Sequence, residues 1–301
     1  MTAPSVAVDV VGEKKVSVFL DFLSLTKPRL SALVIFTSAL GLFLAPGEVS
    51  TLTTLISIAG TSGLVAGACV INCWMERDID RLMERTKNRP LPAGRISPPV
   101  AFIMGLCLII SCLAVLFLFV NYLTGLLGLI ATLTYVFLYT PLKKISSWAL
   151  FAGAIPGAIP PLMGWTTVTN SISLIGLVLF GILFVWQLPH FLSISLYHSK
   201  DYNNADFKIF PTQIGFSNTV HQITFYTFLL LVISLAPYYL QVTNRYYRDF
   251  ILLIGGAFTV LSLMGYPKLG SPDGLMIWAR KYFYASLIYL PLVFIGMIFF
   301  K

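Results

Sequence analysis

Of the 301 residues, 57% are hydrophobic and only 11% charged, against about a quarter charged in an ordinary soluble domain. That excludes a soluble globular chain and points to an all-α polytopic membrane protein. The net charge of +8 sits in short links between apolar stretches, where it anchors loops and meets phospholipid; it is not a nucleic-acid footprint.

In chain order, residues 1–25 are a polar lead-in without the apolar core and small-residue cleavage site of a signal peptide, so a cytoplasmic N-terminal segment is expected and the first span should persist as a helix. Residues 26–301 read as one transmembrane domain. Apolar stretches near the ~20 residues needed to cross a bilayer occur at 30–46, 52–74, 99–119, 122–139, 147–165, 171–196, 219–240, 250–266 and 282–300, which predicts nine spans. With the N-terminus inside, 17 of the 20 Lys and Arg fall on the inner side, leaving only Arg245, Arg248 and Lys301 outside. The positive-inside rule therefore predicts N-in and C-out. Cys69, Cys73, Cys107 and Cys112 lie in predicted helices among apolar neighbours, form no C-x-x-C pair, and read as packing residues.

At the inner end of the second span stands NCWMERDID, Asn72 to Asp80. Steps of four on a helix place Asn72, Glu76, Asp80 and Glu84 on one face, an acidic oxygen stripe suited to Mg²⁺. The cationic run RTKNRPLPAGR follows at once, carrying Arg85, Lys87, Arg89 and Arg95. Metal-holding carboxylates beside anion-holding cations suit a metal-bound diphosphate. A second inner cluster follows span six, where Tyr197, Lys200, Asp201, Asp206 and Lys208 lie close together. Six of the chain's twelve acidic residues occupy these two places. Two such loops can close over one ligand.

The pattern Asn72-x-x-x-Glu76-x-x-x-Asp80, with Tyr197-x-x-Lys200-Asp201 as its partner, resembles the two aspartate-rich motifs of the UbiA-type intramembrane prenyltransferases. LTKPRL at 25–30, ERTKNRPLPAGRISP at 84–98, YTPLKK at 139–144, GAIPGAIPPLMGW at 153–165 and WQLPHF at 186–191 are similar to the haem-farnesylating branch of that family. Cys73, where quinone and aromatic-acid relatives usually carry Asp, favours the same branch. Glu76 stands where many relatives have Asp, keeping the carboxylate on a longer arm. Ala205 stands where a second carboxylate four residues after Asp201 would be expected in members with that motif, so Asp201 ranks above Asp206.

The resemblance implies a UbiA-type helical bundle that moves the farnesyl group of farnesyl diphosphate onto a vinyl group of haem b, with water addition. Mg²⁺ would be the cofactor, held by Asn72, Glu76, Asp80 and Asp201. Arg77, Lys87, Arg89, Lys143 and Lys200 are the expected diphosphate cations. Trp186, Gln187, His190 and Tyr197 are expected on the acceptor side, with His190 also a catalytic candidate that contacts haem or orients the quenching water. GAIPGAIPPLMGW reads as close helix packing and bending, and the resemblance places it on the acceptor wall. His198 and His221 receive no role. A bacterial inner membrane is the expected location, with the site on the cytoplasmic face. Haem A synthase or terminal-oxidase assembly factors are the expected downstream partners. The nearer alternative is a UbiA-type enzyme acting on an aromatic or quinone precursor. A cation transporter and a non-catalytic haem carrier fit less well, because the acids lie at helix ends on one side and among cations.

Overall fold

A computed structural model describes residues 17–199, 208 and 210–301. Among these residues the regular structure is helical throughout, with no strand. In lipid every backbone polar group must be satisfied within its own segment, and a helix does this where a loop does not.

A short helix α1 (Val18–Leu25) meets α2 (Pro28–Leu44) at a 50° bend. There follow α3 (Thr51–Asp80), α4 (Pro98–Phe119), α5 (Tyr122–Leu142), α6 (Ala149–Thr169), α7 (Leu174–Tyr197), α8 (Phe210–Ser234), α9 (Arg245–Leu263) and α10 (Pro272–Phe299). Among the described residues, seven helices are long and apolar enough to cross a membrane, or eight if the bent pair α1–α2 counts as one span. α6 is not among them, because its glycines, prolines and threonines dilute its hydropathy. Two further helices start well before the predicted positions 219 and 282. α8 begins at Phe210 but is broken at Gly215, whose φ of +85° is open to glycine. α10 begins at Pro272 and carries Arg280 and Lys281 within its length, so helix and apolar stretch are not coextensive.

Helix starts are capped by the residue types expected there. Ser50, Asn121, Ser173, Asn244 and Ser271 each accept a backbone N–H from the first turn they precede. α2 crosses α6 at backbone contact. A Cβ on Gly41 would collide with the Pro161 carbonyl, and one on Gly164 with the Ser38 carbonyl, so close packing through small residues holds this crossing together. α3 packs on α4, α7 on α8 and α10, and α6 on both α2 and α7. Cys69 and Cys73 are buried free thiols; Cys107 is exposed and Cys112 intermediate.

Candidate active site

The site is built on the last turns of α3. Asn72, Glu76 and Asp80 are 2%, 3% and 2% exposed, so the spacing of four does place an oxygen stripe on the interior face. Glu84 does not join it: α3 stops at Asp80, the chain turns, and Glu84 swings out to pair with Lys87 at 2.6 Å. Asp78 is likewise solvated, 3.5 Å from Arg77 and 3.7 Å from Arg81.

Each stripe residue is met by a cation from a different segment. Lys27 Nζ donates to Asn72 Oδ1 at 2.7 Å, Lys143 Nζ to Glu76 Oε1 at 3.3 Å and Arg89 Nη1 to Asp80 Oδ2 at 3.0 Å. A buried carboxylate without such a partner would be costly, and local structure explains how each partner arrives. Lys27 sits at the α1–α2 elbow in a left-handed conformation (φ +50°), just ahead of Pro28 at the first position of α2. In α5, Thr134–Tyr139 widens to a π-turn. Thr140 Oγ1 donates back to the Tyr135 carbonyl at 2.9 Å and accepts from Asn72 Nδ2 at 3.1 Å. Pro141 has no N–H for a regular turn here, and Lys143 follows it.

Arg89 is delivered by the loop after α3, which folds back under the helix instead of extending into solvent. Its Leu91 and Ile96 are buried against Leu25, Val70 and Cys73. Thr86 Oγ1 donates to the Asp80 carbonyl at 2.9 Å, and Arg81 Nε to that of Pro92 at 3.1 Å. Gly94 takes φ +75° in the turn. Arg95 then grips Asp21 of α1 with two hydrogen bonds, at 2.8 and 2.9 Å, and donates to the Asn88 carbonyl at 3.1 Å. The bonds to Asp21 raise the guanidinium above the ordinary arginine range.

Of the expected diphosphate cations, Arg89 and Lys143 are at the stripe. Arg77 instead lies over Trp74, 5.2 Å from its ring, and donates to the Trp74 carbonyl at 2.7 Å. Lys87 is held by Glu84. Lys200, Asp201 and Asp206 lie outside the described residues. Sequence reasoning assigned no role to Lys27, Thr140 or Asp21, and counted Arg95, which instead grips Asp21, among the anion-holding cations. The only trace was Lys27 and Thr140 falling in the segments LTKPRL and YTPLKK, since partners 45 and 68 residues from Asn72 leave no local pattern.

Of the expected acceptor residues, Trp186, Gln187 and His190 are buried. Trp186 Nε1 donates to the Ser286 carbonyl at 2.8 Å, and His190 Nδ1 is 2.7 Å from Ser286 Oγ, its ring stacked on Trp186 and near Phe283. Gln187 Nε2 donates to the Ala154 and Leu183 carbonyls. Tyr197 lies under the Arg280 guanidinium at 5.6 Å. His221 is an exposed residue near Tyr266.

Among the described residues no three His, Cys, Asp or Glu side chains come together as a metal-holding group. The donors that are gathered, one amide oxygen and two carboxylates on one buried face, are hard oxygens of the kind Mg²⁺ takes. They fit that ion.

A helical bundle that closes one end over a buried oxygen stripe and three cations defines an intramembrane prenyltransferase. The chain belongs to the UbiA prenyltransferase family, whose profile matches residues 34–288. It is 42% identical over 278 residues to a protein of Myxococcus xanthus (strain DK1622) named protoheme IX farnesyltransferase, covering 92% of this chain and 93% of that one. It is 43% identical over 277 residues to a protein of the same name from Anaeromyxobacter dehalogenans (strain 2CP-C), covering 92% of each. Among solved structures, the fold is similar to one described as a digeranylgeranylglyceryl phosphate synthase, with a TM-score of 0.77 at 19% identity over 93% of this chain and 97% of that one. It is also similar to a UbiA homolog from Archaeoglobus fulgidus described as bound to DMAPP and Mg²⁺, with a TM-score of 0.69 at 14% identity over 89% of this chain and 98% of that one. The last two are likenesses of fold.

Proposed function

We propose that this protein transfers the farnesyl group of farnesyl diphosphate to a vinyl group of haem b, with addition of water, releasing haem O and diphosphate. The observation that carries this reading is the stripe Asn72–Glu76–Asp80, buried at a membrane helix end and faced by Lys27, Lys143 and Arg89. Nothing in the packing of a helix bundle requires charges there. A diphosphate with its metal does.

The reaction begins with cleavage of the farnesyl C1–O bond, and its electron pair leaves with the diphosphate. Lys27, Arg89 and Lys143 stand where that growing negative charge is stabilised, in a site dry enough for charge–charge contacts to count. Asn72, Glu76 and Asp80, with Asp201 from the second motif, would hold Mg²⁺. When bound, the ion supplies Lewis-acid neutralisation of the diphosphate oxygens. Lys200 belongs to the same cation set, with Arg77 and Lys87 as outer contributors. The vinyl π electrons then form the new carbon–carbon bond at farnesyl C1, and the resulting cation takes up water and loses a proton. Trp186, Gln187, His190 and Tyr197 belong to the acceptor side, where His190 steers haem or that water.

The same reading has nine spans, α6 included, an N-terminus inside and a C-terminus outside. Its supports are the Lys and Arg distribution and the length of α6, 21 residues. It places the protein in a bacterial inner membrane with the site on the cytoplasmic face, passing its product to haem A synthase or oxidase assembly factors.

The test is to incubate purified protein in detergent with haem b, farnesyl diphosphate and Mg²⁺, then separate the haems by reverse-phase chromatography and read their masses. A later-eluting haem with the mass of the hydroxyethylfarnesyl adduct, absent with chelator and from Asp80→Asn, is expected. Unchanged haem alongside prenylation of a phenolic or quinone precursor would move the acceptor to that class.

A further inference from the structure

Arg95 holds the loop after α3 at two points that bracket Arg89. Its Nη2 donates to the Asn88 carbonyl at 3.1 Å, on the peptide that leads into Arg89. Its backbone N–H donates to the Pro90 carbonyl at 2.9 Å, one residue beyond Arg89. The Arg89 N–H donates to the Thr86 carbonyl at 2.9 Å, and the Arg89 carbonyl accepts from the Ala93 N–H at 2.9 Å. Arg89 therefore leaves the loop from a backbone fixed on both sides, and its guanidinium reaches Asp80 at 3.0 Å.

Arg95 is in turn fixed by α1. Asp21 is 5% exposed and takes the guanidinium as a fork, Nε on Oδ2 at 2.8 Å and Nη2 on Oδ1 at 2.9 Å. Such a pair sets direction as well as distance. With the Asn88 bond, three guanidinium donors are committed inside the protein. Leu25, one helical turn after Asp21 and on the same face, is buried with Leu91 and Ile96 of the loop and with Val70 and Cys73 of α3. Just past the end of α1, Lys27 donates to Asn72. α1 is thus tied to the loop at one end and to α3 at the other. All three segments wall one cavity of about 170 Å³, whose lining includes Leu25, Lys27, Asp80 and Arg89.

We propose that Asp21 and Arg95 are positioning residues of the diphosphate site: their clasp holds Arg89 against Asp80, and Arg95 itself does not touch the diphosphate. The part Arg89 plays on the diphosphate comes from the proposed reaction, and the clasp rests on it. Misplacing a group at a reacting site by about 1 Å can cost about 10²-fold in rate, so two side chains that meet no substrate can still govern its binding. α1 then belongs to the active-site wall and is more than a lead-in to the first span.

The experiment measures Mg²⁺-dependent binding of farnesyl diphosphate by titration calorimetry, and then haem O turnover, for the full-length protein and for Asp21→Asn, Arg95→Lys, Arg89→Gln and Asp21→Asn combined with Arg89→Gln. Charge alone gives the opposite sign: taking a carboxylate away from an anion site tightens anion binding, and a freed Arg95 would tighten it further. The clasp requires Asp21→Asn to weaken farnesyl diphosphate binding and raise its KM by about tenfold, with the KM for haem b unchanged. Arg95→Lys keeps the charge and loses the fork, and should do the same. On the Arg89→Gln background, Asp21→Asn should add about twofold at most, because both act through one side chain. Ser57→Ala removes a buried hydroxyl pair with Thr167 near the opposite end of α3; as the control it should lower thermal stability and leave both KM values in place. Tighter binding in Asp21→Asn, additive losses in the double variant, or an equal rise in both KM values would each overturn the assignment. Unchanged binding and normal haem O formation in Asp21→Asn sink the clasp and leave the reaction standing. Farnesyl diphosphate binding that depends on Asp21 through Arg89, with no haem O formed, supports the clasp and sinks the reaction.

Discussion

The inner end of α3 and the contact between α7 and α10 both bury polar side chains in a membrane bundle, yet they do so in opposite ways. Between α7 and α10 the groups are neutral and close on one another: Trp186 and His190 on Ser286, with Tyr282 on Thr227 nearby. At α3 two carboxylates and an amide meet three cations brought from three separate segments. Neutral hydrogen bonds satisfy buried polar atoms at modest net gain, whereas a buried ion pair often fails to repay its desolvation. The first arrangement is what packing alone produces. The second is the arrangement on which the proposed binding of a metal and a diphosphate rests.

Four tests probe that contrast, beginning with the largest expected effect. Asp80→Asn or Glu76→Gln should lower haem O formation by about 10²–10³-fold, read as product per minute at saturating substrates, while haem binding by Soret titration is retained; retention of full turnover would break the contrast outright. Lys27→Met removes the cation at Asn72 and, on the proposed reaction, should raise the KM for farnesyl diphosphate by about tenfold or more, with little change in the KM for haem. Asp21→Asn cuts the Arg95 grip on α1 and should cost about 1–2 kcal/mol of thermal stability in detergent, discounted because Arg95 is partly exposed. The exchanged pair Asp21→Arg with Arg95→Asp should recover part of that loss. Ser286→Ala, on the neutral side, should cost about 1 kcal/mol in stability and change turnover by no more than about threefold. A turnover collapse in Ser286→Ala at unchanged stability would show that His190 needs this bond to steer haem or water.

The membrane class, the family and the oxygen stripe were legible in the residues, for different reasons. Apolar stretches of bilayer length state their environment locally, and the spacing of four between Asn72, Glu76 and Asp80 needs only a helix to become one face. The same spacing misled at Glu84, because periodicity carries no information about where a helix stops. The span count was harder to read at α6, whose Gly and Pro content lowers its hydropathy while serving the α2 crossing at Gly41 and Gly164. Arg77 and Lys87 looked equivalent to Arg89 along the chain, yet only Arg89 reaches the stripe.

The amino-acid sequence by itself determined the solvent, the helical class, the acidic face of α3 and the supply of cations near it, since these follow from composition and from periods of a few residues. The tertiary structure decided which cation meets which oxygen, and that Lys27, Thr140 and the Asp21–Arg95 grip belong to the site's surroundings. The physical reason is distance along the chain: these pairings join residues 45, 67, 68 and 74 positions apart. Burial in a low-dielectric bundle then makes each pairing matter.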